Sequence, residues 1–98
     1  MLPSQIKVGK TRYTVVKTKD FVSANIRGSI RYKDKLIKVR PQTVTREAQT
    51  FFHELTHAIL HDMGHKLYKD ELFVEAFSSR LSAAIKSAKF DETDSIQP

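Results

Sequence analysis

The chain has no cysteine. That excludes a disulfide framework and any thiolate metal site, so a metal here must be held by histidine and carboxylate. It also fits a reducing compartment. No apolar run approaches the roughly 18 residues of a membrane span, and residues 1–10 lack the apolar core of a signal peptide. A soluble, cytoplasmic chain is the expectation. Glycine is scarce, with three in 98 residues, so each is read as a local marker: Gly9 for a tight turn, Gly28 for a bulge, Gly64 for a helix stop. The length suits one small domain with one modest core.

Charge is unevenly spread around a net +6. Residues 1–46 hold twelve Lys and Arg against two Asp, whereas residues 47–98 hold five against nine acidic residues. The acidic half suits a cation site. The basic half could meet nucleic acid or an acidic partner, but lysines on strands also discourage edge-to-edge pairing, and that plainer reading is preferred.

Alternating segments predict strands at 5–8 and 11–17 around Gly9-Lys10, at 26–32, and at 36–40 before Pro41. These make a small, mainly antiparallel or mixed sheet of three or four strands. The period then changes. A helix is predicted from Thr45 to Met63, capped by Thr43 or Thr45, with Glu47 near its start. Asp70 is the expected cap of a second helix, with Phe73, Val74, Phe77, Leu81, Ala84, Ile85 and Ala88 as its apolar stripe. The fold class is α+β, with one domain over residues 1–90 and a polar flexible tail at 91–98.

Within the first helix, residues 53–57 read His-Glu-Leu-Thr-His. Histidines four apart share one helix face and can share one tetrahedral zinc ion. Glu54 projects about 100° around the helix from His53, within reach of a water at such an ion and free to act as a base. On a helical projection Ala48, Phe51, Phe52, Leu55, Ala58, Ile59 and Met63 form a core side, opposite Glu47, Thr50, His53, Glu54, His57 and His61. Catalytic zinc takes a third protein ligand. Glu75, 18 residues beyond His57 on the next helix, is the favoured position, with Glu71 one turn earlier and His65 on the connector as alternatives. Ser78 and Ser82 would permit close helix approach. His61, His65, Tyr68 and Arg80 are candidates for neighbouring polar groups or for a donor to an oxyanion.

The run Phe52-His53-Glu54-Leu55-Thr56-His57-Ala58-Ile59-Leu60-His61, followed by Phe73-Val74-Glu75-Ala76-Phe77, resembles the ImmA/IrrE-like metallopeptidases, in particular small prophage-type members. Gly28 to Tyr32 and Leu36 to Val39 resemble that family's short strands, so the likeness covers roughly residues 5–88. It implies a zincin-like fold binding one zinc ion, with His53 and His57 as ligands, Glu54 as general base and Glu75 as third ligand. It also implies a protein substrate, since characterised relatives cleave repressor-type transcription regulators. Two other functions are compatible with the residues: a zinc-binding interaction module without catalysis, and a basic nucleic-acid-binding domain. The presence of Glu54 between the histidines favours the peptidase.

Overall fold

The computed structural model describes residues 2–89; the tail expected at 91–98 lies outside them. Four strands, β1 (Gln5–Val8), β2 (Thr11–Lys17), β3 (Gly28–Arg31) and β4 (Leu36–Val39), precede two helices, α1 (Val44–Asp62) and α2 (Glu71–Ser87). The class is α+β, as the alternation and the later change of period imply.

The sheet order is β1-β2-β4-β3. Gly9 takes a positive φ of 60° and closes the β1–β2 hairpin, a conformation that costs glycine little. The chain then crosses to the far edge as β3 and returns as β4 between β3 and β2. β4 therefore runs antiparallel to β3 and parallel to β2, so the sheet is mixed. Arg40 holds the crossing segment, donating to the carbonyls of Ile26 (2.7 Å) and Ser23 (3.0 Å). Gly28 is not a bulge. It pairs in register with Val39, and its reason is space: a Cβ there would lie 2.5 Å from Thr50 Cγ2 and 3.2 Å from Glu54 Oε2.

Period-two alternation turns Tyr13, Val15, Ile37 and Val39 inward, where they join Val8, Phe51 and Ala58 in one core. Ile37 and Val39 are fully buried, as befits the inner strand β4. α1 covers this face. Thr43 caps it by accepting from the Arg46 N–H. Glu47 reaches back to accept the Gln42 backbone N–H at 2.9 Å and meets Lys17 at 3.2 Å. The helix ends in a Schellman arrangement: Gly64 (φ 66°) donates to His61 and His65 donates to Leu60.

α1 does not have the single apolar side expected of it. Glu47, Glu54 and His57 are buried, while Ile59 and Met63 are exposed. α1 has two neighbours, the sheet and α2, so a single apolar face does not describe it. α2 differs as well. Among the described strands and helices it contacts α1 alone, burying Val74, Ser78 and Ser82. Phe73, Phe77 and Ile85 of the expected stripe stay partly exposed. Small serines let the helices approach, and that approach carries the α2 carboxylates to α1. No helix among the described residues is long and apolar enough to cross a membrane.

Candidate metal centre

His53, Glu54 and His57 lie in the middle of α1, away from its fraying ends. Asp70 caps α2 by accepting the Phe73 N–H at 2.9 Å, which fixes Glu71 in the first turn. The connector between the helices is itself folded, with Tyr68 N–H donating to His65 and Asp70 N–H to Leu67. It thereby delivers the Tyr68 carbonyl to His57.

Both imidazoles are oriented from behind. His57 Nδ1 lies 2.6 Å from the Tyr68 carbonyl oxygen, and His53 Nδ1 lies 2.8 Å from Glu75 Oε1. Carbonyl and carboxylate oxygens accept, so both Nδ1 atoms donate. Each Nε2 then faces Glu71, at 2.9 Å from His53 to Oε1 and 3.2 Å from His57 to Oε2. Two ring nitrogens thus converge on one carboxylate, and the charge between them is completed by extra protons or by a cation. The ligand atoms of His53, His57 and Glu71 lie within 4.8 Å of one another. A tetrahedral zinc ion with bonds of about 2.0–2.1 Å separates its ligand atoms by roughly 3.3 Å. The nitrogen–oxygen spacings are near that value, and anchoring of the second ring nitrogen is the usual support of a metal-bound histidine. The three residues could hold a metal ion.

The structure brings Glu71 to both histidines and Glu75 to the opposite nitrogen of His53. Glu71, the alternative one turn earlier, is therefore the third member of the cluster. His65 is engaged elsewhere: its Nδ1 accepts the Leu67 N–H and its ring stacks on Phe73. Arg80 donates back to the Ala76 carbonyl of its own helix. His61 stacks on Tyr32 with centroids 4.0 Å apart, and Tyr68 packs edge-on to both rings.

A cavity of about 490 Å³ opens over the cluster, lined by Gly28, Ile30, Tyr32, Glu54, Lys69 and Glu71 with both histidines. A second, of about 440 Å³, lies beyond His53 and is lined by Arg27, Gln49, Glu75 and Ser79 among others. Gly28, His53 and Glu54 line both, so the two cavities adjoin at the site. β3 is an edge strand. Arg40 N–H bonds the Arg27 carbonyl, so ladder alternation turns the backbone groups of Gly28 and Ile30 away from β4, toward the open edge.

Burial pushes the Glu54 carboxyl up to about 7, opposed by His53 and His57 and assisted by the charge of Glu71. Burial alone would lower His53, but the charge of Glu54 and the hydrogen bonds to Glu71 and Glu75 outweigh it and raise its pKa. Nothing in the sequence marks Tyr32 for this site. Its ring flanks the cavity because β3 ends there, a position that only the strand order reveals. Burial lifts its hydroxyl to about 12, with Tyr13, Glu54, Tyr68 and Glu71 adding to the rise, so it keeps its proton at neutral pH.

No protein-family model matches the chain, nor does any curated protein or solved structure.

Proposed function

We propose that the chain is a zinc-dependent endopeptidase of zincin-like architecture, with His53, His57 and Glu71 as the metal ligands. One observation carries the reading: two histidines, each anchored through Nδ1, present Nε2 to a shared carboxylate beside a buried glutamate in an open groove. A bound zinc ion would polarise the scissile carbonyl and acidify the attacking water. Glu54 would serve as the base that takes a proton from the attacking water and returns it to the departing amine. Tyr32 and Lys69 line the same cavity and are the candidate donors of a hydrogen bond to the developing oxyanion. The free edge at Gly28 and Ile30 offers backbone pairing to an extended substrate segment. A purely structural zinc site has no use for a buried carboxylate facing its groove, which weighs against a non-catalytic module.

The likeness to ImmA/IrrE-like peptidases supports a repressor-type transcription regulator as substrate, cut in an exposed loop or linker. The basic N-terminal half would attract an acidic segment, with rates falling as salt rises. The primary test is metal analysis. Wild type should bind about one zinc per chain, and the His53→Ala/His57→Ala variant none. Glu54→Gln should keep the metal and lose cleavage of a candidate repressor by roughly 10²–10⁴-fold. Metal content unchanged in the double variant, or full activity in Glu54→Gln, defeats the reading.

A further inference from the structure

We propose that Glu75 is a positioning residue: it fixes the ring and the tautomer of His53 and so sets how tightly the chain holds a divalent cation. The inference rests on the metal-site reading above. His53 Nε2 and His57 Nε2 both face Glu71, so an ion shared by the two histidines lies on the Nε2 edge of His53. Glu75 Oε1 sits at Nδ1, on the opposite edge of that ring. It cannot join the same mononuclear site without reversing the imidazole. Glu71 and Glu75 are one turn apart on α2 and bracket His53 from both sides.

The two histidines are supported differently. His57 Nδ1 is held by a backbone carbonyl, that of Tyr68, which no side-chain substitution deletes. His53 Nδ1 is held by a side chain. Remove it, and the ring proton is free to move to Nε2, the nitrogen an ion needs, while the imidazole gains freedom to turn. The Glu75 side chain is 67% exposed. It is therefore dispensable for packing, and its loss isolates the orienting role.

The test measures zinc affinity of the full chain by competition with a chromophoric chelator, together with the visible spectrum of the cobalt-substituted protein. Partners that orient a metal-bound histidine are typically worth 10–100-fold in metal affinity. Glu75→Ala should bind one zinc with affinity lowered about 10–100-fold. Its cobalt spectrum should stay tetrahedral, because no ligand has been lost. Glu75→Gln, whose amide oxygen still accepts from Nδ1, should recover part of the loss. Glu71→Ala should fall further and change the cobalt spectrum. Glu75→Ala binding as tightly as wild type overturns the proposal alone and leaves the metal site intact. Glu75→Ala losing the tetrahedral spectrum while Glu71→Ala keeps it overturns the proposal by making Glu75 the ligand. A wild-type chain that binds no zinc overturns the site reading, and this proposal with it.

Discussion

Gly28→Ala is the substitution that reads most directly the closeness of β3 to α1. The new Cβ would stand 2.5 Å from Thr50 Cγ2, 3.0 Å from the Lys38 carbonyl oxygen and 3.2 Å from Glu54 Oε2. The Lys38 oxygen belongs to the β4 backbone and cannot yield. The Thr50 methyl could turn away, but its hydroxyl accepts from Gln42 Nε2 at 3.2 Å, and turning gives that up. Overpacking of this kind typically costs about 1–3 kcal/mol. Gly28 shows no positive φ, so alanine also gains about 0.4–1 kcal/mol by restricting the unfolded chain. The net loss is about 1–2 kcal/mol, or roughly 4–16 °C in melting temperature for a domain of this size. Thr50→Ser removes the methyl of the shortest contact and keeps the hydroxyl, so in the Gly28→Ala background it should return part of the loss. Thermal melts of wild type, both single variants and the double variant form the cycle. A Gly28→Ala protein as stable as wild type, or two effects that simply add, would refute the argument that space explains this glycine.

Two other predictions concern charge and capping. The Glu47 carboxyl is held below its usual 4.5 by the Gln42 N–H, a pull that exceeds the opposing burial and is aided by Lys17. Its stabilising contribution is present above that value and is lost as pH falls through the lowered folded pKa. Melting curves from pH 7 to pH 2 should therefore show the gap between wild type and Glu47→Gln closing with acid; a constant gap contradicts this. Asp70→Ala and Thr43→Ala each delete a helix cap, at about 1 kcal/mol apiece. Only Asp70→Ala should also weaken zinc binding, because Glu71 follows it directly. Equal zinc affinity in the two variants would break the link between that cap and the site.

Local spacing carried much of the architecture. His53, Glu54 and His57 are read correctly onto one helix because a four-residue interval needs no tertiary information. Strand limits at Gln5–Val8 and Thr11–Lys17, the Thr43 and Asp70 caps and the Gly64 stop are equally local. The parallel pairing of β2 with β4 is not, since it depends on where the 18–27 segment crosses. The choice between Glu71 and Glu75 is subtler. The two share one face of α2, and the connector decides which of them reaches the Nε2 edge of both histidines. The role of α2's serines was foreseeable from their size; the exposure of Phe73 and Phe77 was not, because it depends on α2 meeting α1 alone.

That single contact has a consequence for how the molecule opens. α1 is fastened to the sheet through Phe51 and Ala58, whereas α2 is fastened by a strip of one valine and two serines. Val74 is its one buried hydrophobic residue, so its amides should exchange with solvent before those of α1 or β4. When α2 lifts, the histidines stay and both carboxylates leave. A cation spanning the two helices would act as a rivet, and its removal by a chelator should register first as faster hydrogen exchange in residues 71–87, with β4 unchanged.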